Sequence, residues 1–217
     1  MKGAVLAVTG VKDHDSFVKA VSEGFLEANL GASEEISVAS DYMGGESRLF
    51  IPSSGYTHLA LGFEGPSSNA ALGNVLKYCF TLCADGTANV SGFSAPGLIG
   101  LYASTPAPSA SSIMDSISTV LTSSLNDELV ARAKALAKAE AIFALDSGSK
   151  GMAEAMSTGV LESGTFSVNE VAASYDNLTK ADVSAAMKAA LKSNPSVASV
   201  GDVTDIPYHA AVCARFS

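Results

Sequence analysis

The sequence predicts an α+β fold in which helices pack on one face of a mixed, largely antiparallel sheet. Three observations predict it: an alternating apolar stretch at 56–64, two strand-like runs flanking Ala95-Pro96-Gly97, and a helical run over 113–192 that closes on a last strand. Strands and helices cluster instead of alternating strictly, which is the arrangement of helices laid on one sheet.

The elements follow in order. Residues 3–9, with the apolar run Ala4-Val5-Leu6-Ala7-Val8, read as a buried strand. "MKGAVLAV" places a lysine before an apolar stretch, as a signal peptide does. The stretch is too short for that, no small-residue cleavage site precedes Lys12 and Asp13, and an arginine-rich mitochondrial presequence is absent. Asp13 is the capping candidate for an amphipathic helix over 14–30 with Phe17, Val21 and Phe25 on one stripe. The polar stretch 31–55, holding Ser33-Glu34-Glu35, Gly44-Gly45 and Pro52, is the best domain boundary.

Strand 56–64 sets Leu59, Leu61 and Phe63 on one face and His58, Ala60 and Gly62 on the other. A helix over about 67–82 follows, then strands 87–94 and 97–104, which the Ala95-Pro96-Gly97 turn makes an antiparallel hairpin. Ile113, Ile117, Val120 and Leu121 mark one helix; Asn126 caps the next, through Leu129, Ala133 and Leu136. Helices over 149–161, 167–174 and 179–192 come after, the last two opened by Ser167-x-x-Glu170 and Thr179-x-x-Asp182 at capping-box spacing. Pro195 ends the run, and 197–202 is the final strand.

Composition narrows the function. The 217 residues suffice for a substantial core; 47% are apolar, tryptophan is absent and mean hydropathy is +0.28, more apolar than a solvated surface requires. That excess points to area buried against partners. A net charge of −9 repels phosphate backbones and anionic headgroups, which argues against nucleic acid and direct lipid binding. No apolar run approaches the roughly 18 residues of a membrane span, so membrane contact is expected through partners.

Candidate chemical groups are sparse. Cys79, Cys83 and Cys213 make no disulfide framework. Cys79 and Cys83, four apart on a helix, share a face that would supply half a metal site, but no histidine or third cysteine stands at ligand spacing, and reduced core cysteines are the better reading. His14, His58 and His209 belong to neither H-x-x-E-H nor its inverted form; His14, at a helix start, and His58, on a strand, read as surface or satisfied polar residues. G-x-S-x-G and Walker patterns are absent, and "SGSKG" at 147–151, with Lys150, is a cap and turn. Glu64 and Asp115 are isolated carboxylates without an acid-base partner. The residues predict no catalytic, metal or cofactor site.

"YMGGESRL", "THLALGFEGPS", "VSGFSAPGLIGLYAS" and "NDELVARAKALAKAEAIFALDSGSKGMAEAMSTGVLESG", with the ending "ASVGDVTDIPY", resemble the C-terminal domain of the pitrilysin/insulinase-type metallopeptidase superfamily. They are most similar to its mitochondrial branch, which holds the processing peptidase subunits and the core proteins of ubiquinol:cytochrome c reductase, respiratory complex III. Subunits of that family have two homologous α+β domains. The resemblance makes 1–30 the closing strand and helix of a first domain, 31–55 a linker and 56–217 the second domain, so that Met1 falls inside a normally intact domain of a cleaved or divided subunit. Strand 3–9 would then pair with another polypeptide.

In active members the zinc motif lies in the first domain. The processing peptidase alpha subunit carries a glycine-rich loop near the first helix of this region; here "TLCADGTAN" at 81–89 has one glycine, which favours the core-protein-2 type. The resemblance therefore implies a noncatalytic structural subunit, peripheral on the matrix side of the mitochondrial inner membrane. Its implied partners are other complex III subunits, a core-1-like subunit and a chain supplying the missing N-terminal half, in a homodimeric complex. The alternative is a noncatalytic half of the processing peptidase alpha subunit that binds presequences.

Overall fold

The computed structural model describes residues 5–27, 41–67, 69–84 and 89–216. In chain order the elements are α1 (His14–Glu27), β1 (Gly45–Phe50), β2 (Tyr56–Glu64), α2 (Ala70–Cys83), β3 (Val90–Ala95), β4 (Leu98–Pro106), α3 (Ala110–Thr122), α4 (Asp127–Asp146), α5 (Ser149–Ser163), α6 (Val168–Asp176), α7 (Lys180–Leu191), β5 (Ser196–Gly201) and α8 (His209–Cys213). Contacts divide the chain into two units, residues 1–40 with 139–173, and residues 41–138 with 174–217.

The second unit holds a five-stranded sheet in the order β1-β5-β2-β4-β3. β5 runs parallel to β1; the other three neighbouring pairs are antiparallel. This is the mixed, largely antiparallel α+β sheet that the sequence predicts.

Its core follows from the two-residue period of the strands. The register Leu59↔Ala103, Leu61↔Leu101 and Phe63↔Ile99 turns six apolar side chains to one face, where all are buried. Val75, Leu76 and Phe80 of α2, Met114, Ile117 and Leu121 of α3 and Val183 of α7 are buried too. Each large side chain so placed contributes about 2 kcal/mol. One glycine sets how close the helices come: a Cβ at Gly92 would run into the Lys77 carbonyl oxygen of α2. The Gly92 N–H, on edge strand β3, donates to Thr81 Oγ1 at 2.9 Å, so the helix also blocks part of that edge. On the opposite sheet face, Phe93 lies against Gly100, where a Cβ would meet the ring edge at 2.7 Å.

Local signals in the sequence are recovered. β2 covers the expected stretch, and the β3–β4 hairpin turns through Gly97 at φ +75°. Asn69 caps α2 through Leu72 N–H at 2.9 Å, and Asn126 accepts from Leu129 N–H at 2.7 Å at the start of α4. Thr179 and Asp182 form the capping box of α7.

Two elements were not expected. β1 lies in the polar stretch before β2, where "GESRLF" has no clean alternation and the strand instead follows β5 in parallel. α8 is a single short helix after β5.

In the first unit Asp13 caps α1 as expected, accepting from Ser16 N–H at 3.2 Å and Ser16 Oγ–H at 2.6 Å. Phe17 and Val21 are half-buried, and the side chain of Phe25 and residues 28–30 lie outside the described residues. The strand expected over 3–9 is not formed in its described part. Residues 5–9 carry no regular structure and Leu6 is 58% exposed. A strand requires a hydrogen-bonded neighbour, and no strand occurs among the described residues of this unit. The segment instead borders an apolar groove of about 390 Å³ with Phe17, Val18 and Val21 of α1 and Met156 and Val160 of α5.

Candidate functional site

Among the described residues, polar side chains meet where β1, the segment 202–208 and α8 come together. β5 ends at Gly201, whose φ of +114° turns the chain into a bend held by Thr57, which donates to the Asp202 carbonyl. Arg48 of β1 reaches across to this bend. Its guanidinium donates to the carbonyls of Val203 at 3.0 Å, Ile206 at 3.1 Å and Pro207 at 3.0 Å, and pairs with Glu46 at 2.6 Å. The Tyr208 ring lies over the same guanidinium, 4.5 Å away. Five contacts from one side chain use the planar fork that lysine lacks.

The Arg48 hydrogen bond, first of all, holds the Glu46 carboxyl below the usual carboxylate range. Glu46 also accepts the His209 N–H at 3.1 Å, which joins the start of α8 to the cluster. His209 then turns its ring to the loop before β5: Nε2 stands 2.8 Å from the Pro195 carbonyl oxygen, which accepts from Gly45 N–H at 3.2 Å as well. Since a carbonyl only accepts, Nε2 is the donor of this contact. One turn later Cys213 Sγ lies 3.7 Å from Nδ1, 3.6 Å from Nε2 and 3.5 Å from Asn194 Oδ1.

The remaining candidates are dispersed. His58 Nδ1 is 2.6 Å from the Tyr102 hydroxyl on the sheet face away from the core, with the rings stacked at 6.1 Å. Asp115 pairs with Arg215 at 2.6 Å, Lys150 with Glu154 at 3.6 Å within α5, and the Glu64 N–H donates to Ser193 Oγ at 2.9 Å. His14 begins α1 beside the apolar groove. Cys79 is buried, and burial, with Cys83 nearby, pushes its thiol up to about 12, so it is inert at neutral pH. Among the described residues no three histidine, cysteine, aspartate or glutamate side chains gather where they would hold a metal ion. No described helix is long and apolar enough to cross a membrane.

The fold is similar to that of a solved chain. It matches a chain in the structure titled "Complex III2 from Candida albicans, Inz-5 bound" with a TM-score of 0.79 at 20% identity, over 94% of this chain and 56% of that one. The likeness is one of fold, and this chain spans little more than half the length of its neighbour. No protein-family profile and no curated protein matches the sequence.

Sequence reasoning missed the meeting of His209 and Cys213. Their i, i+4 spacing was visible, but no helix was expected there to bring the two onto one face. Of the glycine-poor stretch 81–89, residues 81–83 belong to α2 and 85–88 lie outside the described residues.

Proposed function

We propose that this chain is part of a noncatalytic core subunit of mitochondrial respiratory complex III, of the core-protein-2 type within the pitrilysin/insulinase-like superfamily. The observation that carries the reading is the fold likeness to a complex III2 chain over 94% of these residues. The resemblance of "YMGGESRL" and "VSGFSAPGLIGLYAS", which here run through β1 and the β3–β4 hairpin, to that superfamily supports it as well.

In this reading the chain contributes packing area. Electron transfer in this reading belongs to haem and iron-sulfur subunits; among the described residues the carboxylates and histidines stand dispersed. Residues 1–30 close a first domain and 56–217 form the second, whose sheet also takes β1 from the linking stretch 31–55. Residues 5–9, with Leu6 exposed, take a neighbouring strand from the polypeptide that supplies the rest of the first domain. A core-1-like subunit and other complex III subunits complete a homodimeric assembly. The chain sits peripherally on the matrix side of the inner membrane.

Fractionation tests the reading. The chain should sediment with mitochondrial inner membranes and leave them only when the assembly is dissolved in detergent. A wholly soluble matrix distribution, together with a zinc-bearing H-x-x-E-H partner, would place it in a processing peptidase instead.

A further inference from the structure

The first unit lacks a core of its own. Leu145 is the single buried side chain among its described residues, and the other core side chains belong to the second unit. Its apolar side chains stand around the groove instead. Phe17 and Val21 of α1 and Met156 and Val160 of α5, each pair four residues apart on one helix face, line it half-buried. Residues 5–8 form the remaining wall, and exposure along 5–9 alternates: Val5, Ala7 and Thr9 are half-buried, Leu6 and Val8 exposed. That is the two-residue period of an extended chain, here with apolar side chains on both sides, as in a strand covered on both faces. Among the described residues no backbone group of 5–9 has a hydrogen-bond partner; only the Thr9 hydroxyl bonds, donating to the Ser149 carbonyl at 3.3 Å.

We propose that this groove seats a strand-bearing apolar face of a separate polypeptide, and that α5 belongs to the docking surface together with α1 and residues 5–9. On the core-subunit reading, on which this docking rests, the partner is the polypeptide that supplies the rest of the first domain; α5, from the stretch given above to the second domain, joins it there. Two features fix the partner's chemistry. Unpaired backbone donors and acceptors along an extended segment are met by another strand. Apolar side chains on both sides of that segment and on two facing helices are met by the apolar face of a sheet, not by a charged surface. The solved neighbour is matched over 56% of its chain, so it carries fold beyond what this chain supplies. A unit with one buried side chain does not offset the cost of ordering its backbone, and docking gives it the core it lacks.

The native assembly captured through this chain in mild detergent is compared with the isolated chain. Hydrogen exchange should find amides 6–9, α1 and α5 about 100-fold more protected in the assembly, while β2 and β4 are protected alike in both. Photo-cross-linkers placed at Val8 and at Val160 should both reach strand-forming apolar segments of one polypeptide, present in equal amount with the chain. Val8→Asp and Val160→Asp should each lower the recovery of that polypeptide about ten-fold. Val8 lies in a segment of no regular structure, so its substitution leaves α1 and α5 free to fold. Equal protection of the first unit in both samples, cross-links that land on this same chain or a second copy of it, or recovery indifferent to both substitutions overturns the proposal, even where haem bands uphold the core-subunit reading. A haem-free assembly that still shows the cross-links and both losses overturns that reading and upholds the docking surface.

Discussion

The Arg48 guanidinium lies 4.5 Å from the centre of the Tyr208 ring, and through the same side chain β1 holds the segment that leads into α8. Arg48→Met retains the apolar stem but leaves the carbonyls of Val203, Ile206 and Pro207 without their donor. The expected loss is about 2 kcal/mol in a urea unfolding midpoint. Arg48→Lys should recover less than half of it, because an ammonium does not reproduce the fork. Full recovery by lysine would reduce the contact to simple charge.

Acid should weaken the fold through three carboxylates. Glu46 is held low chiefly by Arg48, Asp13 by Ser16 and Asp182 by Thr179. A folded-state value below the unfolded one stabilises above the unfolded value and is lost as pH falls through the folded one. The melting temperature should therefore be flat from neutral pH to about pH 5 and fall below about 4.5. Glu46→Gln should flatten that fall; an unchanged acid limb would remove Glu46 from the account.

Gly92→Ala should be among the most damaging small substitutions. The new methyl meets the Lys77 carbonyl, a backbone atom that cannot swing aside, so α2 must move off β3. A loss of about 3 kcal/mol in thermal or chemical unfolding is expected.

Ser199 should behave in the opposite sense. Its hydroxyl is buried at 1% exposure and has no hydrogen-bond partner among the described residues. Ser199→Ala removes an unpaired polar group from the core face of β5 and should raise stability by about 1 kcal/mol.

Much of this fold was legible because its signals are local. Leu59, Leu61 and Phe63 alternate, Gly97 supplies the hairpin's positive φ, and Thr179 with Asp182 announces α7 within four residues. β1 was not legible, because Glu46 and Arg48 occupy positions where a period-two reading seeks apolar side chains, and their reason for being there is the bend at 203–207, far along the chain. The opposite error occurred at residues 5–9, where apolar content alone implied a strand that requires a neighbour to exist. The Cys213–His209 contact was hidden for a different reason. It depends on the short helix over His209–Cys213, which the residues around it do not announce.

The proposed membership of complex III is tested most directly by a reduced-minus-oxidised spectrum of the native assembly captured through this chain in mild detergent. A complex III subunit should bring down b- and c-type haem bands in stoichiometric amount with the chain. A captured assembly free of haem, carrying instead a zinc-dependent presequence-cleaving partner, would contradict it.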